Sequence, residues 1–152
     1  MLPKHHIFIG FIISIFLFLI FPITILEASI IFLSSFLIDF DHYLFYLYKK
    51  KDVNLKNSFN DFIKRGKEYR KLSKEQKEEL KQPIFLFHGV EFWSILLILS
   101  FVNKIFIFIL IGIFIHMTLD YIDLYHRKEP FYKKTSQIMV YIKNKNKKEL
   151  KI

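Results

Sequence analysis

The sequence predicts an all-α, integral-membrane four-helix bundle with a basic loop that carries short interfacial helices. Three observations lead there. First, 53% of the 152 residues are hydrophobic and 18% are aromatic, yet the formal net charge is +9. A small water-soluble domain of that composition could not cover its apolar surface, and a disordered basic chain would be poor in aromatics. Second, the charge is segregated: 12 of the 23 Lys and Arg fall in residues 49–83 and 9 in residues 127–152, leaving only Lys4 and Lys104 elsewhere. Third, the remainder divides into four long apolar stretches. The absence of Cys excludes a disulfide scaffold, a Cys-type zinc finger and a thiol nucleophile.

The elements follow in order within a single membrane domain, residues 1–152. Residues 7–26 hold no charge and are long enough to cross about 30 Å of hydrocarbon at about 1.5 Å per residue. The second span is expected over residues 28–48, the third over 84–102 and the fourth over 105–125. Within the loop 49–83, Phe59, Phe62, Ile63 and Tyr69 give residues 57–70 an amphipathic helix suited to a membrane surface. Ser73-Lys74-Glu75-Gln76 fits a capping box, so a short helix is expected over residues 73–81. In the tail 127–152, Pro130 can begin a turn of helix, with Phe131, Tyr132 and Tyr141 as interfacial anchors. Lys and Arg collect on the cytoplasmic side of membrane proteins, so the loop and both termini are expected in the cytoplasm of an inner, cytoplasmic membrane. The basic segments suit anionic lipid headgroups. No recognition fold for nucleic acid is visible.

Ionisable residues inside the spans demand compensation, because an Asp near the bilayer centre costs roughly 2.5–3.5 kcal/mol even on a lenient scale. The second span contains Asp39, Asp41 and His42; the third, His88 and Glu91; the fourth, His116, Asp120 and Asp123. No Lys or Arg lies within the spans to pair with them, which leaves His or a metal. The spacing is informative. His116, Asp120 and Asp123 stand at i, i+4, i+7 on one helical stripe, and His88/Glu91 and Asp39/His42 are i, i+3 pairs. On a regular helix Asp41 points about 160° away from Asp39. His–carboxylate pairs on facing helices are how di-metal bundles present their ligands. The first span adds His5 and His6 at its start, and all the clusters fall in the half of each span nearest the basic segments.

These residues resemble the YdjM-like family of LexA-binding, inner-membrane, metal-dependent hydrolases. That family shows Thr-His-x-x-x-Gly, Pro-Asp-x-Asp-His, Arg-Gly-x-Thr-His-Ser and Ser-His-x-x-x-Asp in order. Here His6 to Gly10 fits the first, with His5 in place of Thr. Asp39-Phe40-Asp41-His42 fits the second, with Ile38 in place of Pro. His116 to Asp120 fits the fourth, with Ile115 in place of Ser. The third departs: Phe87-His88-Gly89-Val90-Glu91 keeps a His and lacks the Arg and the Thr-His-Ser. The resemblance implies a hydrolase activity.

The residues themselves support metal-assisted hydrolysis. The expected metal ligands are Asp39, His42, His88, His116 and Asp120, joined by His6. Glu91 is a further ligand or the general base, and Asp41 and Asp123 are expected to orient ligand imidazoles. Imidazole and carboxylate without thiolate suit one or two divalent ions, Zn²⁺ first and Mn²⁺ or Fe²⁺ after it. A site at that depth would meet a lipid-borne or headgroup phosphoester. The competing class is a non-enzymatic membrane protein, either a small ion or proton conductor or a metal-binding scaffold.

Overall fold

A computed structural model describes residues 3–149; the end of the basic tail, 150–152, lies outside them. The described residues are helical, without a strand, and an isolated parallel bridge joins Leu80 to Lys148. α1 (Pro3–Ile20), α2 (Ile25–Leu37) and α3 (Phe40–Lys50) are followed by α4 (Leu55–Lys71) and α5 (Lys74–Glu79). A 3₁₀ turn over Leu86–His88 then leads to α6 (Val90–Ser100), α7 (Ile105–His126), α8 (Tyr132–Thr135) and α9 (Gln137–Lys143).

Three segments are long and apolar enough to cross a membrane: Pro3–Ile20, Ile25–Lys50 and Ile105–His126. The third expected span, 84–102, is different. Its helix is the 11-residue α6, about 16 Å at about 1.5 Å per residue, roughly half of a bilayer's hydrocarbon core. The reason lies in Pro83 and in the tail. Pro83 has no N–H to give a helix, and the backbone around it is bonded to the tail instead. Lys81 N donates to Lys148 O at 2.8 Å, and Phe85 N to Gln137 Oε1 at 2.9 Å.

Thr24 caps α2 through a box with Glu27, and Glu27 also binds Lys104 at 2.8 Å, so the two short connections lie at one end of the molecule. α2 is the central helix, packing against both α1 and α7, and α6 lies on α7. Small residues permit these contacts, as is usual between membrane helices. A Cβ on Gly112 of α7 would stand 2.4 Å from the Ile31 carbonyl oxygen of α2; one on Gly10 of α1 would stand 2.0 Å from Ser35 Oγ. Ile38, Leu96, Ile113 and Met117 form the buried apolar cluster where α2, α6 and α7 meet.

The basic loop and tail form one collar at the opposite end. α4 covers the expected amphipathic stretch, and α5 carries the expected Ser73–Gln76 box. The tail is more than a surface anchor: α9 docks on α6, burying Val140 and Gln137. Asn144 and Gln82 exchange two backbone–side-chain bonds at 2.8 and 2.9 Å, and Lys49 meets Glu149 at 2.7 Å. Glu129 is the hub, held by Lys77 at 3.1 Å, by Lys133, and by Tyr69 at 3.4 Å. Burial raises the Glu129 pKa, but Lys133 and Lys77 outweigh it and leave the pKa below the usual carboxylate value. Burial, followed by the nearby Glu129 charge, pushes the Tyr69 phenol up to about 12.

Candidate metal centre

Four segments bring ionisable side chains together on the collar side of the apolar helices. Their placement starts with a break in the backbone. Between α2 and α3 the helical ladder tightens: Asp39 N bonds Phe36 O, Asp41 N bonds Ile38 O and His42 N bonds Asp39 O, all i to i−3. A 3₁₀ stretch advances about 120° per residue in place of about 100°, so side chains two positions apart are no longer nearly opposed. Asp39 and Asp41 therefore both reach His88, on opposite nitrogens of one ring. Asp41 Oδ2 accepts from His88 Nδ1 at 2.8 Å and from Phe87 N at 3.2 Å, while Asp39 Oδ1 lies 3.6 Å from His88 Nε2.

α7 supplies His116 and Asp120 one turn apart. His116 Nδ1 donates to the Ser35 carbonyl at 2.9 Å, which turns its Nε2 inward, 3.3 Å from Asp120 Oδ2 and 3.5 Å from Asp39 Oδ1. α1 supplies His6, stacked on His116 with ring centroids 3.9 Å apart and its Nε2 3.6 Å from Asp120 Oδ1. His42 Nε2 lies 3.1 Å from Asp39 Oδ1. Three overlapping groups can hold a metal ion: His6–Asp39–His116, Asp39–His42–His88 and His88–His116–Asp120. Their union is the six expected ligands.

The spacing between these atoms is characteristic. Separations of 3.3–3.6 Å recur around His88, His116 and Asp120, which is long for hydrogen bonds between imidazole and carboxylate. Ligand atoms placed tetrahedrally about 2.1 Å from a zinc-like ion would stand about 3.4 Å apart. His88 Nε2 and His116 Nε2 are buried and make no hydrogen bond, although the other nitrogen of each ring makes one. Such fixed tautomers with inward-facing lone pairs suit metal ligation.

Asp41 holds the orienting position expected of it. Glu91 is placed elsewhere than expected. It lies outside the three groups: its carboxylate accepts from Ser136 Oγ at 2.6 Å, Ile138 N at 3.1 Å and Gln137 N at 3.2 Å. It caps the start of α9, a job made available because the tail folds back onto α6. Asp123 sits on the cluster's helix and pairs with Arg127 one turn on.

Lys134 was not anticipated from the sequence. The tail brings its ammonium to 2.8 Å from Asp120 Oδ2 and over the Phe85 ring. Burial disfavours its charge, but Asp120, Asp39 and Asp41 outweigh that and raise its pKa, so it stays an ammonium. Only its place in the fold distinguishes it from the other Lys residues of the tail. The edge of the cluster is formed by Asp39, His42 and Lys134, whose side chains keep 15%, 17% and 16% exposure, whereas those of His88 and His116 are fully buried. No family model, curated protein or solved structure matches the chain.

Proposed function

We propose that the protein is an integral-membrane, metal-dependent hydrolase of the cytoplasmic membrane. It acts on a phosphoester presented at the cytoplasmic leaflet, and the motifs shared with YdjM-like proteins support the same reading. The observation that carries it is the convergence of six His and Asp side chains, from four segments, on ligand-like spacing in a buried cluster with one partly exposed edge. The donor set favours Zn²⁺, with Mn²⁺ or Fe²⁺ also matched to imidazole and carboxylate. A divalent ion there would bring the pKa of a bound water to about 7 and polarise a phosphoryl oxygen.

The chain's own contribution is positional. Asp41 and the Ser35 carbonyl fix two imidazoles, and the collar of loop and tail closes the site except at its edge. With Glu91 engaged by α9, Asp39 is the carboxylate at that edge. A conducting pore is less well supported. Ser14, Ser29, Ser34, Ser94 and Ser100 each donate to a carbonyl of their own helix. They offer no relay away from the cluster.

Detergent-purified protein should retain about one or two equivalents of a divalent metal, and should cleave a chromogenic phosphomonoester or phosphodiester only when loaded. Full metal retention in a His116→Ala, Asp120→Ala double variant would remove the site assignment. A metal-loaded protein inert toward phosphoesters and lipid phosphates would remove the hydrolase.

A further inference from the structure

Charge at the cluster points to a ligand. Asp39, Asp41 and Asp120 surround the four imidazoles, and the Lys134 ammonium pairs with Asp120. Among the described residues the cluster holds three carboxylates against this one ammonium, and burial makes such an excess of negative charge costly. A divalent ion offsets it.

The position of Lys134 is built and specific. Its helix, α8, is followed directly by α9, whose start Glu91 caps through three hydrogen bonds. Gln137 is bound to Phe85 N, and Tyr121 Oη meets Thr135 Oγ1 at 3.1 Å. These contacts, on both α6 and α7, fix the backbone on either side of Lys134. Its side chain keeps 16% exposure and ends on Asp120, at the partly exposed edge of the cluster. A metal ion bound by Asp120 would compete with the ammonium for the same carboxylate, because two cations repel at such range. The ammonium is then available to another anion at the same edge.

We infer that Lys134 is the anion-binding residue of this centre, receiving a phosphoryl group beside the metal. The inference rests on the metal-dependent hydrolase reading for its metal and deepens it by assigning the substrate's charged group to a named side chain. The phosphoryl group can come from free phosphate or from a lipid headgroup. A charge-assisted hydrogen bond to phosphate is worth about tenfold in affinity.

The test uses the metal-loaded full chain in nanodiscs of zwitterionic lipid, with Lys134→Met and Lys134→Arg as variants. Metal content is measured by mass spectrometry and inorganic phosphate binding by calorimetry; a second arm measures phosphate in nanodiscs doped with phosphatidate. The expectation is that Lys134→Met keeps its metal and loses phosphate affinity about tenfold, whereas Lys134→Arg retains most of it. Competition by phosphatidate in the wild type would identify the headgroup as the source; its absence would identify soluble phosphate. Phosphate binding by Lys134→Met equal to wild type would overturn the inference, as would loss of metal from that variant. The two readings fail separately. Phosphate binding through Lys134 without any hydrolysis removes the hydrolase alone, and hydrolysis with phosphate affinity indifferent to Lys134 removes this inference alone.

Discussion

Replacing Asp41 with Asn tests whether the metal centre depends on an oriented imidazole. Asp41 is 2% exposed, and one of its carboxylate oxygens accepts both His88 Nδ1 and Phe87 N. The first bond fixes the proton on Nδ1 and leaves Nε2 facing Asp39 and Asp120 at 3.6 Å. An Asn keeps the shape and one acceptor but removes the charge, and its amide can also satisfy the wrong His88 tautomer. A hydrogen bond to a charged group contributes about 1.5–3 kcal/mol against about 0.5–1.5 for a neutral one, so the exchange costs about 1–1.5 kcal/mol. Spent on His88 orientation, that is about tenfold in metal affinity, the lower end of the usual range for partners of metal-bound His. Competition against a chromophoric chelator in detergent measures it. Unchanged affinity in Asp41→Asn, with the fold intact by circular dichroism, would show that His88 does not ligate through Nε2.

Metal removal should lower the thermal midpoint. Trp93, whose indole donates to the Phe87 carbonyl at 3.2 Å beside His88, should report it by fluorescence; a midpoint indifferent to chelator and to added metal would count against a structural metal. Gly112→Ala meets the Ile31 carbonyl, which cannot move aside, and should destabilise by about 1–3 kcal/mol in chemical unfolding. Gly10→Ala meets the side chains of Ser35 and Phe32 and no carbonyl, and should cost less. Glu91→Gln should leave metal content unchanged while speeding hydrogen exchange across residues 137–143; loss of metal would return Glu91 to the centre. Glu129 has a folded pKa below its ordinary 4.5, so the stability it contributes is present above about that pH and is lost as pH falls through the depressed value. Glu129→Gln should remove that acid-side loss from limited proteolysis of the tail, and an identical pH profile would show that the collar is held elsewhere.

Three of the long apolar helices and the clustering of six His and Asp residues were legible because they rest on local signals: charge-free runs long enough to cross a membrane, and His–carboxylate spacings of three and four. The misreadings come from long-range contacts. Residues 84–89 are apolar enough for a helix, yet the backbone near Pro83 is paired with the tail, which depends on residues about 60 positions away. Glu91 fits the i, i+3 pattern with His88, and nothing local says that α9 will arrive to claim it. Lys134 was hidden for the same reason. Even the 160° separation of Asp39 and Asp41 assumed a regular helix, and the i−3 bonds around Ile38 alter it. Local periodicity locates the candidates; the tail decides which of them remain in the centre.

The depth of the centre follows from helix lengths. Counting from the end that holds the Glu27–Lys104 pair, His6 is 14 residues along α1 from Ile20 and Asp39 is 14 from Ile25. His88 is 12 from Ser100, and His116 is 11 from Ile105. At about 1.5 Å per residue each lies about 16–21 Å from that end, short of a full hydrocarbon thickness of about 30 Å. The short α6 thereby finds its reason: it is long enough to carry His88 to the level of the other ligands, and the chain can turn there because the collar bonds its backbone. Below that level α6 has ended, and α4 and the basic tail join the ends of Ile25–Lys50 and α7. Fully buried imidazoles on one side and an edge of Asp39, His42 and Lys134 on the other are what such a boundary produces. On the function proposed above, a charged headgroup reaches that edge while its acyl chains stay in the membrane.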